Sequence, residues 1–462
     1  MTSDPRAMRT IADVAGAAER FTDYSVADAG IRDVYATSRV WQTWIDVEVA
    51  LAAAEADEGI VPRSAADRIA SVGDLERMER DRIVEGMRRQ GHPLVPIIEE
   101  LARAAGPDAG GWVHWGATSQ NIMQSGNAVL LHRAHGIVGS LLRECLAALA
   151  ELADRSADMI MPGRTHGQHA VPITFGLKAA TWADDLLHGR DRLDRGVEPC
   201  LRVMMAGAVG SFASLGEQGP RVQEGVATRL GLGAMAVPSR ALLSPQAGYI
   251  SDMALVAASC ARIALDIETM MQTEFGEVSE PVPEGSVGSS TMPHKRNPKL
   301  SSDVIDLAAR LRALAPEAMG AVIHPHEADG GSTAKLDSAI QSALVGMGDL
   351  LVRLRTILTG LELFPERMRR NLELSGELLA SEAVMLALGE RIGRDEAHHI
   401  VYVLAMRAAT EGADFADLLL GEERVTASLS PSRIRTLLDP AAHTGLSAQM
   451  ARETAQRVRD TL

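Results

Sequence analysis

The sequence predicts an all-α protein with three helical domains, of which the middle one is a bundle of long helices. Its 462 residues correspond to roughly three structural units at about 150 residues per domain. Apolar residues recur at intervals of three and four along most of the chain, as in amphipathic helices. Aromatic residues make up only 3%, so strands have little support.

Three interruptions of the helical pattern give the predicted domain boundaries. Residues 1–115 form an N-terminal helical domain, which ends in the glycine-rich stretch GPDAGGWVHWGATSQ. Residues 116–364 form the central long-helix domain, which contains a Gly-, Ser- and Pro-rich loop before residue 302. Residues 365–462 form a smaller C-terminal helical domain that begins within LFPERMRR.

The longest apolar runs predict the bundle itself. Residues 128–160 and 250–275 contain no proline and are rich in small residues, which permit close packing of helix axes. A helical solenoid is the alternative, but no repeat with a period of about 30 to 45 residues is present. The bundle is therefore favoured.

Composition argues against several functional classes. The 46 basic and 61 acidic residues leave a net charge of −15, so attraction to nucleic-acid phosphates is not a general property of this surface. Cys145, Cys200 and Cys260 lie far apart without a CxxC spacing, which excludes a zinc ribbon and disfavours a disulfide framework. The N-terminus has no apolar core of the length expected for a signal peptide, and apolar runs such as residues 253–261 are far too short for a membrane span. The expected location is the cytoplasm.

The first polar segment is HWGATSQN, residues 114–121. Thr118 and Ser119 are adjacent hydroxyls beside an amide, and they could donate hydrogen bonds to a carboxylate. An ordinary helix N-cap is the alternative explanation of the same residues.

The second segment is GRTHGQH, residues 163–169, and a helix is expected from Ala170 onward. His166 suits proton transfer near neutral pH, whereas a structural role is favoured for His169. A zinc site on this histidine pair is disfavoured because no acidic partner is near in the sequence.

The third segment is GSSTMPHKRNP, residues 288–298. The hydroxyl pair Ser289 and Ser290 precedes Lys295, Arg296 and Asn297 on a loop that begins at a glycine. Such a loop could close over an anionic substrate and exclude water. A flexible basic linker would not require this alternation of Met, Pro and Asn.

Together these segments resemble the fumarase/aspartase superfamily over nearly the whole chain. GSSTMPHKRNP is similar to the superfamily's signature loop, here residues 284–298, in the form typical of adenylosuccinate lyases and bacterial 3-carboxy-cis,cis-muconate cycloisomerases. HWGATSQ and GRTHGQHAVPITFG resemble its two other active-site segments. GAVGSFASLG, LGERIGRDEAHHI and LLDPAAHTG are further matches to the cycloisomerase branch.

The resemblance implies a homotetramer in which the central helices form a twenty-helix core and three subunits contribute to each active site. The implied reaction is reversible elimination from a succinate-like dicarboxylate, usually with release of fumarate. It implies no metal and no organic cofactor, and neither a nucleic acid nor a membrane is expected as a partner.

The resemblance also implies roles for individual residues. Ser289 is the general base, and Lys295 and Asn297 stabilise the aci-carboxylate that develops. His166 protonates the leaving group, and His114 is a second histidine of the site. The remaining expected substrate-binding residues are Thr118, Ser119, Asn121, Arg164, Thr165, Gln168, Ser290, Met292 and Arg296.

Departures from the family pattern bear on the substrate. Ser302 stands where an acidic residue often orients the catalytic histidine, and only the neighbouring Asp303 could substitute for it. Ala328 replaces an arginine that adenylosuccinate lyases use for a nucleotide phosphate. The sequence STAKLDSAI replaces a tryptophan-rich stretch of the cycloisomerases, which also often lack the histidine at position 166.

A further departure concerns Asn121, Gln124 and Ser125, where relatives commonly have Asp, Asp and Thr. Less negative charge near the site would favour a more anionic substrate or leaving group.

The sequence therefore predicts a lyase that eliminates an amine, a nitrite-like anion or an oxygen group from a substituted succinate. A 3-carboxy-cis,cis-muconate cycloisomerase is the alternative; it would turn over a lactone and be indifferent to His166→Ala. A catalytically silent structural homologue is disfavoured because Ser289, Lys295 and Asn297 are intact.

Overall fold

The computed structural model describes residues 9–16, 18–282, 291–292 and 294–462, with the backbone alone at Ala15. The chain divides into two compact units. The first comprises Met1–Leu142, His188–Ala261 and Asp303–Arg353, and the second comprises Arg143–Leu187, Arg262–Ser302 and Leu354–Leu462. Each unit is therefore assembled from three separate stretches of sequence.

Nineteen α-helices and six short strands occur in the described part of the chain, which confirms the all-α prediction. The helices are α1 (Ile11–Ala15), α2 (Ile31–Val34), α3 (Thr37–Asp57), α4 (Arg63–Val72), α5 (Arg80–Gln90), α6 (Val95–Ala105), α7 (Ser119–Arg155), α8 (Phe175–Val197), α9 (Gly219–Leu230), α10 (Ser244–Met270), α11 (Lys299–Ala321), α12 (Gly330–Gly360), α13 (Pro365–Glu373), α14 (Ser381–Ile392), α15 (Arg394–Glu411), α16 (Phe415–Gly421), α17 (Glu423–Thr426), α18 (Pro431–Leu437) and α19 (Ser447–Thr461). The strands are β1 (Ile160–Thr165), β2 (Gln168–Thr174), β3 (Arg202–Val203), β4 (Gly233–Ala234), β5 (Val278–Ser279) and β6 (Glu362–Leu363).

The core of the first unit lies around α3. This helix packs against α4 and α9, and α5 packs against α6. Ile45, Val47 and Leu51 of α3 are completely buried or nearly so, because apolar residues occupy most of the helix from position 44 to position 54. The same stretch carries two acidic residues, Glu48 and Glu55, which are also buried.

A buried arginine joins the N-terminal segment to α12. The Arg353 side chain is completely buried; it forms an ion pair with Asp23, donates to Thr22 Oγ1 at 2.9 Å and lies 3.6 Å from Asp303. Removing one partner of such a buried pair leaves an uncompensated charge, at a cost of about 3–5 kcal/mol. This network therefore fixes the segment before α2 in place.

The second unit contains an antiparallel hairpin, β1–β2, whose first strand packs against α13. A separate apolar core is formed by α14 to α18, and Val384, Leu388 and Leu419 are completely buried within it. The C-terminal helix α19 is held by ion pairs that include Arg459 and Asp154 at 2.9 Å.

The helix expected from Ala170 does not begin there. Residues 168–174 form strand β2 instead, and α8 begins at Phe175, after Thr174 accepts a hydrogen bond from the Leu177 amide at 3.2 Å. Pro162 and Pro172 face each other across the hairpin, where extended backbone suits proline better than a helix interior would. None of the described helices is both long and apolar enough to cross a membrane.

Candidate active site

His114 lies in a tight turn before α7 and is bound to a buried carboxylate. Its backbone is left-handed, with a φ of 63°, and Gly116 follows with a φ of 64°. Its Nδ1 atom lies 2.6 Å from Oε1 of Glu48 on α3. The side chain of Glu48 is 1% exposed, whereas that of His114 is 19% exposed. The imidazole thus connects a buried acid to the surface of the unit.

Asn121 holds this turn against a second loop. Its Oδ1 atom accepts from the amides of Thr118 at 3.0 Å and Gly207 at 3.1 Å, and its Nδ2 atom donates to the Gly207 carbonyl at 3.3 Å. An aspartate could not make the last of these bonds, because a carboxylate has no hydrogen to donate. The buried Asn121 side chain therefore positions the backbone that carries Thr118 and Ser119, both of which remain partly exposed.

His166 occupies the tip of the β1–β2 hairpin. His166 and Gly167 are the two central residues of the turn, with φ values of 53° and 74°, and Thr165 pairs with Gln168. Positive φ at both positions is the mark of a type I′ turn. Thr165, His166 and Gln168 are exposed there, and the His166 imidazole has no hydrogen bond to any described residue.

The base of the hairpin is fixed by a buried ion pair. Arg164 donates two hydrogen bonds, at 2.9 and 2.7 Å, to the completely buried carboxylate of Glu277, and its guanidinium lies 4.9 Å from the ring centre of Phe275. Asn371 donates to the same carboxylate at 2.8 Å. The guanidinium expected to bind substrate is thus engaged within the protein, where it supports the hairpin.

The contacts of His169 indicate a structural role, as those of Arg164 do. Its Nδ1 atom lies 2.8 Å from the hydroxyl of Ser375. Burial, aided by the charge of Arg164, lowers the pKa of His169 below its usual range. A neutral imidazole is therefore expected at this position near neutral pH.

The two ends of the signature loop meet at one buried carboxylate. Glu280, which precedes the loop, accepts hydrogen bonds at 3.0 Å from the amides of Leu300 and Ser301 and from the Ser301 hydroxyl. These amides lie in the first turn of α11, where a carboxylate is favoured by the helix dipole. Burial nevertheless raises the pKa of Glu280, because desolvation outweighs these bonds.

Lys295, Arg296 and Met292 are exposed on the described part of this loop. The Lys295 ammonium forms no ion pair with any carboxylate in the described ranges, whereas Arg296 lies 3.5 Å from Glu362 at the surface. Asn297 is partly buried. The expected base Ser289 and its neighbour Ser290 lie outside the described residues.

Ser302 stands where relatives often have an acidic residue. Ser302 is exposed, and its amide donates to the Pro298 carbonyl at 2.9 Å. Asp303 accepts a hydrogen bond from Thr22 and faces Arg353. Asp303 is thus already engaged by two groups of its own unit.

A cavity of about 440 Å³ lies in the first unit, and it begins less than two helical turns after Thr118. Burial raises the pKa of Asp337 in its wall to about 6, although Asn127 donates a hydrogen bond to it. Nε of Arg240 and Oε1 of Gln246 are buried without a partner among the described residues. The polar groups that line the cavity are Tyr35, Gln124, Asn127, Arg202, Ser239, Arg240, Gln246, Thr333, Asp337, Ser338 and Gln341.

The sequence analysis missed the buried acids beneath these segments, namely Glu48, Glu55, Glu277 and Glu280. Glu48 and Glu55 stand seven residues apart in an otherwise apolar run of α3, so they share its buried face. A paired acid on an apolar helix face is a pattern that could have identified them. Glu277 and Glu280 carry no comparable pattern.

Comparisons with known proteins identify the family of this chain. The family profile described as "Lyase" matches residues 17–312, and the one described as "Adenylosuccinate lyase C-terminus" matches residues 377–454. N-acetyl-S-(2-succino)cysteine lyase of Dickeya dadantii is 34% identical over 412 residues, which cover 88% of this chain and 90% of that protein. The 3-carboxy-cis,cis-muconate cycloisomerase of Bradyrhizobium diazoefficiens is 36% identical over 413 residues, with coverages of 88% and 91%.

A solved structure extends the likeness to the fold. The fumarate lyase from Mesorhizobium sp. BNC1 superimposes with a TM-score of 0.86 at 33% identity, over 93% of this chain and 98% of that one. Sequence and fold thus agree over most of the chain. The chain belongs to the fumarase/aspartase superfamily of lyases, in the branch of the adenylosuccinate lyases and 3-carboxy-cis,cis-muconate cycloisomerases.

Proposed function

We propose that this lyase removes a heteroatom leaving group from a substituted succinate by β-elimination and releases fumarate. Ser289 takes the proton from the carbon next to a carboxylate, and Lys295 and Asn297 stabilise the aci-carboxylate. The observation that carries the proposal is the placement of Lys295, an exposed ammonium on a loop whose two ends are fixed by Glu280. A cation held in place before the reaction stabilises the charge as it develops.

The substrate carboxylates are bound by short neutral donors in this proposal. Thr118 and Ser119 stand on backbone that Asn121 fixes, and Thr165 and Gln168 flank the hairpin tip. Hydroxyl and amide donors of this kind suit carboxylate oxygens, and rigid support reduces the entropy lost on binding. We further propose a homotetramer in which these two segments and the Lys295 loop come from three subunits.

Two findings support an anionic or easily expelled leaving group. The cavity near the start of α7 is lined by Arg240, whose Nε has no partner among the described residues, while Gln124 lies in its wall as a neutral amide. Arg202 also lines the cavity but is paired with Glu198. In addition, the name of the Dickeya relative describes a substrate in which sulfur carries the succino group. A thiolate therefore joins the amine, nitrite and oxygen groups as a candidate.

The test measures fumarate release from a panel of succinates that carry nitrogen, sulfur, oxygen or nitro substituents. Adenylosuccinate and aspartate represent the nitrogen class, N-acetyl-S-(2-succino)cysteine the sulfur class, malate the oxygen class and nitrosuccinate the nitro class. Fumarate should appear with at least one substrate and disappear in the Ser289→Ala variant. Wild-type protein that releases no fumarate from any of them would contradict the proposal.

A cycloisomerase is the second candidate, because a 3-carboxy-cis,cis-muconate cycloisomerase is 36% identical to this chain. It would form or open a lactone by transfer of a tethered carboxylate oxygen. Carboxymuconolactone chemistry should therefore be assayed in parallel. Lactone turnover without fumarate release would favour this candidate over the lyase.

A further inference from the structure

Two histidines could give a proton to the leaving group, and their surroundings differ. Within one protomer the His166 imidazole has no hydrogen bond to any described residue, and Ser302 supplies no carboxylate that could orient it. His114, in contrast, lies 2.6 Å from the buried Glu48 carboxylate. A carboxylate on one imidazole nitrogen fixes the tautomer and the orientation of the ring.

We infer that Glu48 is a positioning residue that keeps the hydrogen of His114 on Nδ1, and that His114 protonates the leaving group through Nε2. The inference rests on the proposed elimination and deepens it by assigning its acid. The carbon–heteroatom bond breaks with its electron pair going to the heteroatom, which takes the Nε2 proton of the imidazolium. The carbon-bound proton passes to Ser289, and water returns one proton from Ser289 to His114 after each turnover.

The geometry around His114 supports this assignment. The residue stands in left-handed backbone, which residues other than glycine adopt uncommonly. Gly116 keeps the same turn tight, because a Cβ there would lie 2.7 Å from a methyl group of Leu215. Nδ1 is occupied by Glu48, and Nε2 forms no hydrogen bond to a described residue.

The second buried acid, Glu55, keeps the charge of this pocket low. Both of its carboxylate oxygens are buried without a hydrogen-bond partner among the described residues. Burial, reinforced by the charge of Glu48, raises the pKa of Glu55 to about 8. Glu55 is therefore mostly neutral near pH 7, which leaves Glu48 as the carboxylate that faces the imidazole.

The kinetic test compares leaving groups that differ in their need for a proton. An amine or a thiolate needs one, whereas nitrite departs as a stable anion. Glu48→Gln should lower kcat about 100-fold for the amine or thiolate substrate, since general acids contribute roughly 10²–10⁴-fold. With nitrosuccinate, kcat should stay within about threefold of wild type.

His114→Asn should reproduce this selective loss, and asparagine is the right replacement because it tolerates left-handed backbone. His166→Asn, a matched variant at another left-handed histidine, should show no such selectivity. Glu100→Gln is the control for removing a buried carboxylate from the same unit, and it should leave both substrates unaffected. Equal losses on both leaving groups, or selectivity in His166→Asn instead, would overturn the inference.

A second measurement needs no substrate. Long-range ¹H–¹⁵N spectra of ¹⁵N-histidine-labelled protein report which ring nitrogen carries the hydrogen, and the His114→Asn spectrum identifies the His114 signals. Wild type should carry a hydrogen on Nδ1, in the neutral ring or together with Nε2–H in the imidazolium, and Glu48→Gln should lose this preference. A neutral ring with its hydrogen on Nε2 alone in wild type would refute the pairing even if every substrate is turned over. If no substrate of the panel were turned over, the result would count against the proposed elimination. The spectra would still show whether Glu48 and His114 are paired.

Discussion

The buried Glu55 gives a prediction about stability and pH. Its pKa is raised to about 8 in the folded protein, against an ordinary value of 4.5. Between these values the folded state keeps a proton that the unfolded chain releases, so the free energy of unfolding falls as the pH rises. The slope is about 1.4 kcal/mol per pH unit, which amounts to about 2.7 kcal/mol between pH 5.5 and 7.5.

Glu55→Gln removes this slope because an amide does not ionise. Relative to wild type, the variant should therefore gain about 2–3 kcal/mol between pH 5.5 and 7.5, or roughly 2–3 °C in melting temperature for a chain of 462 residues. Thermal unfolding at several pH values, at one ionic strength and one protein concentration, measures the difference. Melting curves of wild type and variant that shift in parallel across this range would refute the reasoning, since Glu55 would then be ionised in the folded state.

Glu100→Gln serves as the matched control in these melts. The hydrogen bonds from Arg103 lower the pKa of Glu100, so its contribution to stability is fully present above about pH 4.5 and is lost only as the pH falls through its folded pKa. The difference between wild type and Glu100→Gln should hence be constant between pH 5.5 and 7.5. A constant offset in this variant and a changing one in Glu55→Gln would separate ionisation from general destabilisation.

Three further predictions concern the segments of the site. Arg164→Met should lower the free energy of unfolding, measured by urea denaturation, by about 3–5 kcal/mol, because it leaves the Glu277 carboxylate buried without its cation. A loss below about 1 kcal/mol would contradict a structural role for this arginine. Glu280→Ala should reduce kcat for fumarate release more than tenfold, because both ends of the signature loop lose their common hydrogen-bond acceptor. Glu280→Gln should reduce kcat less, because its amide oxygen still accepts. Equal activities of the two variants would argue against a role of Glu280 as the acceptor. Ser302→Glu restores the acid that relatives often have, yet kcat should change less than about twofold if His114 rather than His166 is the proton donor; a large gain in kcat would assign the donor to His166.

The helical architecture could be predicted because apolar residues recur with a period of about 3.6 residues along long segments such as α7 and α10. The β1–β2 hairpin could not be read in the same way. Its strands contain Pro162 and Pro172, and its turn places His166 where Asn or Asp usually stands. Local composition therefore pointed to a loop before a helix, whereas pairing between the two strands decided the structure.

The polar segments of the site were visible in the sequence, but their supports were not. His114 and Glu48 are separated by 66 positions, and Arg164 and Glu277 by 113. Such contacts depend on how helices and loops pack in three dimensions, which no local pattern records. For this reason the same arginine could be expected to bind substrate and yet be found in an internal ion pair.

The carboxylate of Glu280 has a practical consequence for protein engineering. Because Glu280 precedes the loop and accepts from the Leu300 and Ser301 amides that follow it, these positions form one fixed point of attachment for a loop between them. Loops from other superfamily members could be grafted between these positions without redesign of α11. Chimaeras of this kind would show whether the specificity for the leaving group is determined by the loop or by the helices.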